Sequence, residues 1–321
     1  MFSKKSFSRT IILGALLLLI PFVSSALAEW QPASPISLMI GFKAGGGADT
    51  QARLVAEDLK TRYGWKIIPS QVTGKGGINL ANAISKSPND GTVIGMFVSE
   101  TFEYNLAAAK RSGLKLSDFT PLVTTAGFQM GIVAKTSKGW KTFFDVIKAA
   151  KEGQPIRFGV MSPKLADLAY LLGKANGIEF NIVMGRGGKA VMDGLNAGDI
   201  DVGFVAGIQD KAVASGDMVN LASGLSTPLK QTPGAPLLKD LGLDFNTDGY
   251  FMFAAPAGLP DEVRRTISNS IAEIVKDPST KSGGFIKRAF GEATAIKGAA
   301  LDHFLEKQYE ASLKLLKAAS E

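Results

Sequence analysis

The feature that most constrains this chain is a structural plan written twice. In the first half, residues 36–42 (ISLMIGF) read as an apolar strand. A glycine loop follows, and then Ala52, Val55, Ala56, Leu59 and Tyr63 recur at helical spacing. Asp49 is expected at the N-cap of that helix and Gly64 at its end. Residues 65–69 (WKIIP) read as a second strand, the loop Thr73-Gly74-Lys75-Gly76-Gly77 opens a second helix through Ala81 and Ile84, and residues 92–98 (TVIGMFV) read as a third strand.

The second half repeats the order. Strand 156–160 (IRFGV) leads through Met161-Ser162-Pro163 into a helix carrying Leu165, Leu168, Ala169 and Leu172, which stops at Gly177. Strand 179–184 (EFNIVM), the loop Gly185-Arg186-Gly187-Gly188, a helix with Val191 and Leu195, and strand 200–205 (IDVGFV) complete it. Each half therefore predicts an α/β lobe built on a mainly parallel sheet, with its loops gathered at the carboxyl edge of the strands. Apolar segments 120–134 and 250–255 bracket the second half and read as crossings between lobes. The expected organisation is residues 29–130 plus 245–321 for lobe one and 131–244 for lobe two, with the ligand cleft between them.

Residues 1–28 read as a signal peptide. Lys4, Lys5 and Arg9 precede the apolar run 11–23, and Ala26-Leu27-Ala28 supplies a small-residue cleavage pattern before Glu29. The run falls short of the ~20 residues that span a bilayer, so the expected mature protein is soluble and secreted. The chain has no cysteine, hence no lipid-attachment site and no disulfide, and must be held by packing alone. Its formal charge is +7, and removal of the three positive charges Lys4, Lys5 and Arg9 leaves +4. Those cations are scattered, with no aromatic-basic stripe, so the charge suits a small anion and not nucleic acid.

Three glycine-rich turns stand where a strand ends and a helix begins: Gly45-Gly46-Gly47, Gly74 to Gly77, and Gly185 to Gly188. Glycine there permits positive φ and lets a ligand approach backbone N–H groups, which at a helix start are unpaired and lie at the positive end of the helix dipole. Each turn holds or adjoins a cation, namely Lys43, Lys75 and Arg186. None of the turns reads GxxxxGK[ST], and the first two lack the dinucleotide spacing, so the expected ligand is smaller than a nucleotide and bears a carboxylate. Catalytic chemistry has little to stand on. With no cysteine, and with His303 alone on the polar face of the terminal helix, a Ser-His or Cys-His nucleophile and a His-based metal site are ruled out. Asp193, Asp199 and Asp201 read as capping and solvated residues. No cofactor is expected.

Four segments resemble the substrate-binding proteins of tripartite tricarboxylate transporters, the Bug-type receptors: IGFKAGGGADTQARLVAEDL (40–59), VTGKGGINLANAISKSPNDGTVIGM (72–96), VMGRGGKAVMDGLNAGDIDVGF (183–204) and YFMFAAPAGLPDEVRRTI (250–267). The resemblance implies a two-lobed periplasmic-binding-protein (flytrap) fold. It also implies a non-enzymatic periplasmic receptor that captures a small di- or tricarboxylate or related acid and delivers it to membrane permease subunits, acting as a monomer. Carried over residue by residue, it places Phe42, Lys43, Gly45, Gly46, Gly47 and Asp49 in the first binding loop and Gly74, Gly76, Gly77 and Asn79 in the second. From the other lobe come Met161 and Ser162, then Arg186, Gly187 and Gly188, and the segment Val205, Ala206 and Gly207. The sequence departs from the family at Gly41, Lys43 and Ala44, where prolines and their neighbour are usual. Met161, with Arg186 in place of the commoner lysine, implies a pocket for a more apolar or longer acid. A ligand-sensing subunit for a signalling receptor is the alternative role, and an enzyme acting on organic acids would need an acid-base pair in the cleft.

Overall fold

The computed structural model describes Met1, Phe2 and residues 30–321, so the expected signal segment falls almost wholly outside the described residues. Strand β1 (Ile36–Ile40) buries Ile36, Leu38 and Ile40 on one face, against which α1 (Gly47–Tyr63) lays Ala52, Val55, Ala56 and Leu59. Gly64 ends α1 in the left-handed conformation, its N–H donating to the Lys60 carbonyl. Then come β2 (Ile67–Gln71), α2 (Ile78–Ile84) and β3 (Val93–Val98), the last buried almost throughout because helices cover it on both sides. After β3 the chain makes one π-helical turn, Thr101–Asn105, which runs into the short α3 (Leu106–Ala108).

Strands β4 (Phe119–Gly127) and β5 (Met130–Lys135) follow, then α4 (Phe143–Lys151), β6 (Ile156–Val160), α5 (Pro163–Asn176), β7 (Phe180–Met184), α6 (Gly188–Ala197) and β8 (Val202–Ala206). The chain continues through α7 (Asp210–Ala214), β9 (Met218–Ser223), β10 (Tyr250–Pro256), α8 (Asp261–Lys276), α9 (Lys281–Phe290) and α10 (Ala299–Ser320). The predicted inward faces of α5 (Leu165, Leu168, Ala169, Leu172) and α6 (Val191, Leu195) are the buried ones.

Two five-stranded sheets result, ordered β2-β1-β3-β10-β4 and β7-β6-β8-β5-β9. In each, the three strands of the repeated plan pair in parallel, the fourth runs antiparallel to them, and the fifth pairs antiparallel with the fourth. The segment expected as a single crossing, 120–134, is two strands. β4 closes the edge of the first sheet, and β5, after a two-residue step, enters the second sheet beside β8. β10 makes the return journey and enters the first sheet beside β3. Each sheet thus takes its fourth strand from a chain segment that has just left the other, and this pairing of crossing strands ties the two halves together. α10 spans the same junction, packing on the π turn, on β4 and on α5.

A candidate ligand cleft between the two sheets

The first glycine loop is shaped by glycine and by Asp49. Gly45 has φ 76°, and the Gly46 N–H turns back to the Lys43 carbonyl at 3.2 Å. α1 opens at Gly47 with Gly46 as its N-cap and no side chain capping it. Asp49 is therefore not the N-cap that the sequence predicted; it lies in the first turn of the helix. It is 3% exposed, and its carboxylate accepts from Gly45 N at 2.9 Å, Arg53 Nε at 2.9 Å and Gln71 Nε2 at 3.2 Å. These bonds direct Asp49 into its own loop. Asp49→Ala should therefore cost about 1 kcal/mol by removing the buried acceptor that gathers these donors, measured as the change in denaturant midpoint; a change within error would remove Asp49 from the scaffold of the loop.

From the opposite side come the starts of α5 and α6. Ser162 caps α5, its Oγ accepting from Leu165 N at 3.3 Å, and Pro163 begins the helix. α6 begins after Gly187, whose φ of 106° and ψ of 168° suit glycine alone. Here the loops of the two sheets touch. Lys43 N donates to the Arg186 carbonyl at 3.1 Å, and Lys43 Nζ binds Asp193 Oδ2 at 2.8 Å. Asp193 also binds Lys189, and these two lysines, Lys189 first, hold its carboxyl below the usual carboxylate range.

Between these loops lie two adjoining chambers. The inner one, about 50 Å³, has mostly apolar walls and receives Phe42, Lys43, Gly46 and Gly47 from one side, Met161, Ser162, Gly188 and Ala206 from the other. The outer one, about 620 Å³, is bounded by Gly74, Gly76 and Asn79 and by Arg186 and Gly187. Phe42 and Met161 border both. Each helix start leaves first-turn N–H groups without intrahelical partners, although in α5 Pro163 has none to give and Leu165 N is taken by Ser162 Oγ, and all three helix starts contribute lining to the inner chamber.

Five of the sequence-predicted residues line neither chamber. Gly45 and Asp49 build the first loop. Gly77, at φ 94°, lies so close to Thr101 that a Cβ there would come within 2.4 Å of Oγ1. Val205 is buried in β8. Gly207, at φ 118°, packs on the Phe290 ring and borders a separate cavity with Gln129 and Lys230.

Residues 51–317 match the protein family described as Tripartite tricarboxylate transporter family receptor. The chain belongs to that family. Protein BugT of Bordetella pertussis is 26% identical over 283 residues, covering 85% of this chain and 82% of that protein. Among solved structures, periplasmic binding protein BugD superposes with a TM-score of 0.79 at 20% identity, over 90% of this chain and 99% of that one. A Rhodopseudomonas palustris protein solved with adipate gives 0.76 at 21% identity, over 90% and 98%. These likenesses establish the two-lobed fold, with its two mixed sheets flanked by helices.

This receptor has a group of cleft residues that sequence reasoning missed, on the π turn after β3. Thr101 Oγ1 and Asn105 Nδ2 both donate to the Gly76 carbonyl, at 2.9 and 3.0 Å, and so set the second glycine loop. Asn105 Nδ2 also reaches Glu100 Oε1 at 3.1 Å, and Glu100 lines the inner chamber while only 4% exposed. Glu103 is 1% exposed, with no described donor within hydrogen-bond distance of either oxygen. Burial pushes its carboxyl up to about 7, against the charge of the buried Lys164 on α5. Tyr104 donates to Asp167, also on α5, joining one sheet's half to the other. A signal for these residues was present. The segment Val205 to Gly207, at the end of β8, was singled out, and the duplicated plan makes residues 99–105 after β3 its counterpart.

Proposed function

We propose that this chain is a periplasmic solute receptor that closes its lobes, 29–130 plus 245–321 and 131–244, over a small organic carboxylate and presents it to permease subunits of a tripartite transporter. The observation that carries this reading is the convergence of three helix starts, α1 from one half and α5 and α6 from the other, on a single apolar chamber. Unpaired N–H groups and helix dipoles favour an anion there, each charge-assisted bond contributing on the order of 1.5 to 3 kcal/mol. Lys75 and Arg186 add positive charge in the outer chamber, with no ion pair among the described residues. The adipate in the Rhodopseudomonas palustris structure supports a carboxylate ligand for this one.

Function then follows from a population shift. The lobes open and close, the anion bridges N–H groups that belong to different lobes, and the closed form gains stability in proportion to its differential affinity. The ligand leaves as it entered, and a signal segment removed near Ala28 would deliver the receptor to the periplasm as a monomer.

Thermal unfolding of residues 29–321 with mono-, di- and tricarboxylates tests the reading, because a ligand that binds the folded state alone must raise the melting temperature. At least one carboxylate is expected to raise it by several degrees. Arg186→Ala should weaken that ligand about tenfold, the worth of one charge-assisted contact, while the ligand-free protein melts as before. No shift with any carboxylate, in protein stripped of carried-over ligand, would remove the carboxylate from the proposal.

A further inference from the structure

We infer that the carboxylate taken by this cleft also bears a hydrogen-bond donor, an ammonium or an amide N–H on an apolar body, and that Glu100 receives it. The inference rests on the reading of the cleft as a carboxylate site and names which carboxylates it selects.

The polar side chains of the inner chamber are Lys43, Ser162 and Glu100. Two of them are engaged elsewhere. Lys43 Nζ is bound to Asp193, and Ser162 Oγ accepts the Leu165 N–H at the start of α5. Glu100 remains, and among the described residues it makes no ion pair; one oxygen takes the Asn105 amide and the other takes no described donor. A carboxylate has about four acceptor positions across its two oxygens. Buried and bounded by Phe128, Met130, Ile208 and Phe251, this one has most of them unfilled on the side facing the chamber. An acceptor withdrawn from water costs free energy until a donor reaches it, and the chamber is where a ligand would bring one.

The same residue argues against a second ligand acid in the inner chamber. Glu103 stands one turn on, fully buried, and the two glutamates already repel each other. A further carboxylate beside them would meet like charge where water cannot screen it. Helix starts accept the ligand's acid group, apolar walls accept hydrocarbon, and Glu100 accepts a donor. Apolar and aromatic amino acids, and carboxylic acids of comparable size that also carry an amide N–H, have all three.

Matched pairs decide the matter by calorimetric titration or thermal shift: 4-methylpentanoate against leucine, 3-phenylpropanoate against phenylalanine, and adipate against 2-aminoadipate. In the unmodified receptor, the amino member of at least one pair should bind about tenfold or more tightly than its partner, the worth of one charge-assisted hydrogen bond. Glu100→Gln should abolish that preference and leave the unsubstituted acid unchanged or improved. Equal or tighter binding of the unsubstituted acids by the unmodified receptor would overturn the inference while leaving the carboxylate reading intact, and so would a preference that survives in Glu100→Gln. Silence from both members of every pair, and from the wider carboxylate panel, would defeat both readings together. If Glu100→Gln does not fold, Glu100→Asp takes its place: it keeps the charge, draws it back by one methylene, and should reduce the preference.

Discussion

Gly187→Val should weaken ligand binding by about a hundredfold, whereas Gly198→Val, at the other end of the same helix, should leave it unchanged. Both glycines have positive φ, 106° and 81°, so either substitution strains the backbone and costs stability, roughly 1 to 3 kcal/mol. Their surroundings separate them. A Cβ on Gly198 would meet nothing within 4 Å, while a Cβ on Gly187 would stand 3.4 Å from both Lys43 N and Phe42 Cβ, which belong to the opposing loop. Valine adds two further methyl groups in that direction. They would press on the loop that donates from Lys43 N to the Arg186 carbonyl, and keep apart two loops that the proposed closure brings together. Titration of a binding carboxylate into both variants, with small-angle scattering to report opening, checks this. Equal affinities for the two variants would mean that contact between these loops is no part of closure.

A second large effect concerns pH. The Glu103 carboxyl is raised in the folded protein from an ordinary 4.5 to about 7, chiefly by burial. Between those values the folded state holds a proton that the unfolded state has released, so stability falls as pH rises. The full span is worth roughly 3 kcal/mol, and less if Lys164 moves to meet the charge. Glu103→Gln keeps the shape and removes the titration. It should therefore be more stable than the parent near pH 8, should match it near pH 5, and should lose the downward slope between. Urea unfolding at several pH values reads this directly. An unchanged slope in the variant would show that Glu103 is paired or solvated. The acid limb has another origin: burial pushes the Asp201 carboxyl up, but hydrogen bonds from Arg157 and Lys138 outweigh it and hold the group well below its usual range. That stability is present above the ordinary value of 3.8 and is lost as pH falls from there towards the folded value, so the two carboxyls shape opposite ends of the profile.

Much of the scaffold could be read in the chain because its signals are local. The apolar faces of α1, α5 and α6 follow from spacing that one helix sets by itself. Gly64 and Gly177 mark helix ends because only a residue without Cβ adopts their φ cheaply, a property of the residue before any fold exists. The repeat of strand, loop and helix predicted two similar sheets for the same reason. Local rules also misled. Asp49 has the chemistry of a cap and stands near the start of α1, but its carboxylate is satisfied by Gly45, Arg53 and Gln71, and Gln71 arrives from another strand.

Glycine carried an ambiguity that sequence could not resolve. A glycine beside a ligand and a glycine beside a neighbouring side chain look alike, and the fold assigns Gly77 to Thr101 and Gly207 to Phe290. The amino-acid sequence by itself determined the duplicated α/β plan, the two crossing segments, the family resemblance and the anion-favouring turns, because periodicity, chain breaks and backbone freedom are written within a few residues of each other. Only the tertiary structure decided that β5 and β10 lie inside the opposite sheets, that Phe42 and Met161 border both chambers, and that Glu100 faces the inner chamber. Those outcomes depend on which distant residues approach one another, and the energy of a carboxylate is set by the neighbours that surround it after folding.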